Sequence, residues 1–201
     1  MSVSLNHENV TVRLVRMRDA KAIERLLLSN REWLRPWEAT NPYAPLSFEM
    51  RPVVRTLLRN YEAGIGLPMV IEVNGEVVGQ LNVANISYGS MHSATLGYWV
   101  SPAVAGKGVT PTAVALVTDY LFGRLGLHRV AIEIRPENAA SLRVVEKLGF
   151  RYEGLIKGHM HINNDWRDHY LFGLTAGEVA AGVLNRWVHN QVPKLAYPWN
   201  S

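Results

Sequence analysis

The apolar positions between Ser93 and Phe122 change their period partway along. Residues 94–100 are rich in β-branched and aromatic side chains, as a strand is, whereas beyond Pro111 the residues Ala113, Val114, Val117, Tyr120 and Leu121 recur at helical spacing. Gly106 and Gly108 lie in the connecting stretch SPAVAGKGVTP. The pattern predicts a strand, a glycine loop and a helix, with Thr110 as the cap and Pro111 at the first helical position, where a missing amide is tolerated.

The same reading extends along the chain. Val10, Val12 and Leu14 alternate with Thr11, Arg13 and Val15, predicting a strand over 10–16, and Asp19 is placed to cap a helix to about Asn30 that buries Ala22, Ile23, Leu26 and Leu27. Pro36, Pro42 and Pro45 then predict a loop carrying Trp33, Trp37 and Tyr43. Three aromatics on an irregular segment either line a pocket or cover the core, and core cover is the preferred reading. A second helix is expected over 47–63, bent or delayed by Pro52. Strands over 67–73 and 76–86 flank Asn74-Gly75, a pair suited to a type I′ hairpin because both residues tolerate positive φ.

The apolar run 128–134 reads as a buried strand, and the next helix has Asn138 as its N-cap and Gly149 as its stop. Strands are expected over 150–161 and 167–174. Thr175 and Glu178 form a capping-box pattern for a last helix to about Asn190, followed by an irregular tail.

With 201 residues, 48% of them hydrophobic, and no linker or repeat, the chain is expected to form one domain over 1–201, with a C-terminal helix and tail from about 175. Residues 1–11 are too polar for a signal peptide, and no apolar run reaches membrane-spanning length. The sequence has no cysteine, which excludes disulfides, thiol catalysis and cysteine-ligated zinc and makes the cytoplasm the default location. A net charge of +4, without a block of like charge, is that of an ordinary solvated surface.

The glycine loop is the first candidate for chemistry. Glycines let the backbone approach a ligand, and the free amides ahead of a helix suit a phosphate or pyrophosphate; a tight strand-to-helix connection accounts for them equally well. Two common phosphate motifs fail on spacing. A P-loop would need its Lys-Ser/Thr pair directly after the second glycine, but Lys107 precedes Gly108, and the third glycine of a dinucleotide fingerprint would fall at Pro111.

A second motif follows the first, an Asn-x-x-Ser helix start at Asn138 and Ser141 that runs to Glu146-Lys147-Leu148-Gly149-Phe150. Together the two motifs resemble the GNAT acyltransferases, which use acetyl-CoA. The likeness extends to the ribosomal-protein N-α-acetyltransferases of the RimJ type through Arg31-Glu32-Trp33-Leu34-Arg35-Pro36-Trp37, Gly97-Tyr98-Trp99, Pro136-Glu137-Asn138 and Trp166-Arg167-Asp168-His169.

The resemblance implies an α/β fold: a mixed, mostly antiparallel twisted sheet, a splayed central strand pair and helices on both faces. It implies that acetyl-CoA enters between strands ending near Val100 and Ile134, with pantetheine along Tyr98, Trp99 and Val100. The pyrophosphate then rests on Ala105, Gly106, Lys107, Gly108, Val109 and Thr110, with Asn138 and Ser141 completing the site. No metal is expected.

The loop departs from the superfamily pattern: Ala105 replaces a polar first residue and Thr110 stands last, where its hydroxyl is expected chiefly to cap the helix. Val145 stands where many relatives have a proton-donating tyrosine, leaving Ser141, with Asn138 beside it, as the catalytic candidates. Candidates for the base are His159, His161 and water. The expected activity is direct acetyl transfer to the N-terminal α-amine of a ribosomal or other protein by a monomer or homodimer, with no nucleic acid or membrane bound. A small-molecule amine acetyltransferase and a non-catalytic acyl-CoA-binding module are the alternatives.

Overall fold

The computed structural model describes residues 3–43 and 49–199. Its elements are β1 (Ser4–His7), β2 (Val10–Leu14), α1 (Ala20–Ser29), α2 (Arg31–Leu34), α3 (Met50–Glu62), β3 (Leu67–Val73), β4 (Glu76–Ser87), β5 (Ser93–Val100), α4 (Val109–Gly123), β6 (Arg129–Ile134), α5 (Ala139–Leu148), β7 (Arg151–Ile162), β8 (Asp165–Thr175) and α6 (Val183–Val188). The strands form one sheet in the order β1-β2-β3-β4-β5-β6-β8-β7. Tight connections make most pairs antiparallel, while the α4 crossover makes β5 and β6 parallel.

That parallel pair is incomplete. β5 and β6 are in register from Ser93↔Arg129 to Leu96↔Ile132 and no further, although β5 continues to Val100 and β6 to Ile134. The strands part at the middle of the sheet.

Alternation along the strands feeds two hydrophobic layers. On β3, Met69 and Ile71 join the larger core with Val114, Val117, Leu142 and Val145 of α4 and α5, while Val70 points the other way toward Ile23 of α1 and Met50 and Val54 of α3. Helices therefore cover both faces, as expected. α4 is apolar on nearly all sides because it packs against the sheet, α5 and α6 together.

Several boundaries differ from the pattern reading. β1 was absent from it: SLNH is half exposed at the sheet edge and has no apolar alternation. The strand expected over 10–16 ends at Leu14, where the chain turns into a short 3₁₀ segment, Met17–Asp19. Asp19 does not cap α1 with its side chain; it accepts the Arg16 amide (2.7 Å) and pairs with Arg13.

The proline-broken loop contains the short helix α2. Pro52 occupies the third position of α3, so it lies in the first turn and produces no interior kink. The expected start at Ser47, like Pro45, lies outside the described residues. Asn74 and Gly75 have φ of 52° and 83°, the signs a type I′ turn requires.

Two further helix starts differ from the expected ones. Gly108, in the left-handed region at φ 81°, is the N-cap of α4, which puts Thr110 and Pro111 inside the first turn; Thr110 is not the cap. The Thr175–Glu178 capping box is formed, but it opens a 3₁₀ turn, and α6 begins later at Val183. The chain beyond α6 has no regular structure yet is packed. The Tyr197 hydroxyl donates to the Phe150 carbonyl (2.9 Å), and Trp199 stacks on Tyr197 with ring centres 5.0 Å apart.

Candidate active site

The glycine loop leaves β5 through a 3₁₀ turn, Pro102–Val104, and reaches α4 with Gly106 and Gly108 at φ of 76° and 81°. Side chains are strained in this region, so the two glycines allow the loop to turn its amides outward. The first helical bond of α4 runs from the Thr112 amide to the Gly108 carbonyl (3.1 Å). The amides of Gly106, Gly108, Val109 and Thr110 consequently have no acceptor among the described residues. Four donors at the partly positive end of a helix form an anion cradle.

Opposite the loop, α5 starts at Asn138, whose side chain accepts the Ser141 amide (3.1 Å), and stops at Gly149 with φ 72°. The cap occupies the Ser141 amide. Its hydroxyl makes no hydrogen bond to the helix backbone among the described residues.

Loop, strand and helix enclose a cleft of about 530 Å³. It brings together Tyr98, Trp99, Val100, Ala105, Gly106, Gly108, Thr110, Asn138 and Ser141. Lys107 is exposed and the Val109 side chain buried, and neither side chain lines the cleft.

Trp33 and Trp37 also line the cleft, which overturns core cover as their role. Trp33 Nε1 donates to the Val100 carbonyl (3.2 Å), and the Arg135 guanidinium lies over the Trp37 ring (5.4 Å) while donating to the Pro36 carbonyl (2.6 Å). Tyr43 is 92% exposed and takes no part.

Pattern reasoning missed three features. The first is the Tyr98 hydroxyl. Its oxygen is buried, faces the Ser141 side chain and has no partner in hydrogen-bond geometry among the described residues. Burial raises its pKa well above the ordinary phenol value, with the Ser141 hydroxyl opposing in part.

The second is Glu133, hidden in the apolar run of β6. It is the first residue beyond the last β5–β6 pair, and alternation turns it away from Ile132 and Ile134 toward the α1–α3 side. Its carboxylate meets His159 Nε2 at 2.9 Å. Behind them His169 is only 3% exposed, its ring centre 5.4 Å from that of His159, and burial holds its pKa below the usual imidazole value.

The third is Asn82, opposite Gly97 on β5, whose buried Oδ1 lacks a partner among the described residues. His161, by contrast, is engaged: its Nδ1 meets Thr40 Oγ1 at 2.8 Å and its carbonyl accepts the Thr40 amide (2.9 Å), tying β7 to the chain after α2.

Residues 9–151 match the acetyltransferase (GNAT) domain. The [ribosomal protein uS5]-alanine N-acetyltransferase of Escherichia coli (strain K12) is 28% identical over 183 residues, 90% of this chain and 94% of that one. The similarity to the probable N-acetyltransferase YjcK of Bacillus subtilis (strain 168), at 38% identity, is confined to 98 residues, about half of each chain. Among solved structures, Mycobacterium smegmatis RimJ in complex with CoA-disulfide superposes with a TM-score of 0.87 at 34% identity, covering 97% of this chain and 96% of that one. With a glycine-turned anion cradle beside a parted strand pair and a family match over most of its length, the chain belongs to the GNAT acetyltransferases and resembles their RimJ type.

Proposed function

We propose that the cleft binds acetyl-CoA and that the chain acetylates the N-terminal α-amine of a protein, a ribosomal protein in particular. The observation that carries this reading is the convergence of four unpaired loop amides, the Ser141 hydroxyl and the opening between β5 and β6 on one cleft. The nearly full-length likeness to RimJ-type enzymes supports the choice of acceptor.

Acetyl-CoA supplies the acetyl group as a thioester. The amides of Gly106, Gly108, Val109 and Thr110 hold its diphosphate, with Ala105 at the loop entrance and the Lys107 ammonium adding positive charge from outside. The parted edge at Tyr98, Trp99 and Val100 guides the pantetheine arm toward Asn138 and Ser141. Asn138 fixes the start of α5, and the Ser141 hydroxyl donates to the sulfur as charge develops there.

The acceptor comes from the α1–α3 side, where Trp33 and Trp37 shape its approach and the Asn82 oxygen receives the amine. An α-amine has an ordinary pKa of about 8, so a mild base suffices. His159, oriented by Glu133, fits that task better than His161, whose ring is committed to Thr40.

The acceptor is tested by profiling protein N-termini in cells with and without the protein. The expected result is loss of acetylation at a small set of ribosomal-protein N-termini. Unchanged N-termini, with turnover of polyamines or amino acids by the purified enzyme, would transfer the reading to small-molecule amines.

The role of Ser141 is tested separately. Ser141→Ala is expected to lower kcat by roughly tenfold or more while the acetyl-CoA affinity stays near that of the parent, because the bond strengthens only as sulfur gains charge. Stability should change by less than about 1 kcal/mol, since the hydroxyl supports no helix bond. A chemistry-limited kcat equal to the parent's would remove Ser141 from the mechanism.

A further inference from the structure

We infer that Tyr98 is a positioning residue for Ser141: its buried hydroxyl donates to Ser141 Oγ and so turns the serine hydrogen toward the acyl sulfur. The inference rests on the reading of the cleft as an acetyl-CoA site. Tyr98 is then more than part of the strand edge along which pantetheine lies, and the Val145 substitution in α5 does not leave the serine unsupported.

The argument starts from an anomaly. A buried hydroxyl without a partner costs folding free energy, and such groups are uncommon away from sites where they serve a function. The Tyr98 hydroxyl is one of these, on a ring otherwise packed into the larger core from β5. What it faces is the side chain of Ser141, on the first turn of α5.

Ser141 has one hydroxyl hydrogen and two lone pairs. Asn138 takes its amide, and no backbone acceptor of its helix claims the hydroxyl, so the rotor is undirected until another group fixes it. A phenol donating to one lone pair leaves the serine hydrogen pointing away from the ring and into the cleft lined by both residues. Burial favours the neutral phenol, so Tyr98 remains a donor at any pH where the enzyme works.

Tyr98 thus transfers no proton. The carbon–nitrogen bond forms, the carbon–sulfur bond breaks with its electron pair on sulfur, and the hydrogen bond from Ser141, directed by the one it accepts from Tyr98, stabilises that pair. The proton lost by the amine passes to His159, the proposed base, and through it to solvent, which returns one to sulfur, so the proton count balances. Aligned donors of this kind polarise one another, so the pair is worth more than either hydroxyl alone.

The test compares Tyr98→Phe, Ser141→Ala and the double variant with the parent, first without turnover. Affinities for coenzyme A and for its desulfo analogue are measured by calorimetry at about pH 9.5, where thiols of ordinary acidity are ionised. The parent is expected to prefer coenzyme A, and each variant to lose at least threefold of that preference while binding the desulfo analogue as the parent does.

In turnover, Tyr98→Phe should lower kcat about tenfold, and the double variant should be no slower than Ser141→Ala.

An unchanged preference in Tyr98→Phe, with the preference lost in Ser141→Ala, overturns the inference alone. So does a double variant whose kcat losses multiply. A parent that binds neither coenzyme A nor the analogue overturns the acetyl-CoA reading, and the inference with it.

Discussion

Gly79→Ala should unfold the protein or lower its stability by about 3 kcal/mol or more, at the upper end of overpacking effects. Gly79 is buried on β4 opposite Val100, just past the irregularity where Ile71 pairs with Gly79 and Glu72 with Val77. A Cβ there would lie 2.2 Å from the Trp99 carbonyl oxygen and 2.9 Å from the Val100 Cα. Both are backbone atoms of β5, so no rotamer change relieves the clash.

Relief requires β5 to move away from β4 at its last three residues, which are also the cleft edge. For a chain of this size the expected fall in melting temperature is roughly 6–12 °C. Coenzyme A binding should weaken even where the variant is still folded. Calorimetry on the purified variant checks both, and parental melting with parental affinity would show that the two strands can separate without cost.

The second large effect is expected on the opposite side of the sheet. Arg13 is 8% exposed, and its guanidinium joins two carboxylates: Nη1 and Nη2 meet Asp19 at 2.8 and 3.0 Å, and Nε and Nη2 meet Glu72 Oε1 at 2.9 and 2.6 Å. Arg13→Ala strands both acids in a dry setting and should cost about 3–5 kcal/mol at neutral pH, the usual penalty for removing one partner of a buried ionic group.

The pH dependence distinguishes this from simple loss of packing. Burial alone would raise the Asp19 pKa, but bonds from Arg13 and from the Arg16 amide outweigh it and hold the folded value below the ordinary 3.8. A lowered folded pKa means stability that is present above about 3.8 and lost as pH falls through the folded value. Without Arg13 the strongest groups lowering the Asp19 pKa are gone while burial remains, so that pKa rises toward the acid range and the variant's deficit against the parent should narrow as pH falls from 7 toward about 4. Melting temperatures across that range should converge for the two proteins; a gap that stays constant would exclude the ionic origin.

The central motifs were legible because they rest on local backbone rules. Asn74-Gly75, Asn138 and Gly149 do in the structure what their side chains, or lack of them, dictate. Gly106 and Gly108 marked the loop, but the cap was assigned to Thr110. Nothing in the order Gly-Val-Thr-Pro decides between a threonine cap and a glycine in the left-handed region.

What remained hidden is what depends on distant chain segments meeting. β1 exists because β2 offers an edge, Glu133 meets His159 across 26 residues, and Trp33 reaches Val100 across 67. Tyr98 was legible as strand edge but not as a hydroxyl, because an unsatisfied group is defined by what surrounds it.

The alternation on β3 that separates Val70 from Met69 and Ile71 makes the molecule a pair of half-structures sharing one wall. One half carries the loop and α5; the other carries α1, α3 and the polar groups turned away from them. Among the described residues the two clusters share no buried side chain, so they meet only through the sheet and at the cleft, where Trp33 bonds the Val100 carbonyl. On the proposed reading of the site, acceptor choice can drift by substitution in the α1–α3 half while the loop that cradles the diphosphate is inherited unchanged, and grafting that half is the way to move an acceptor preference.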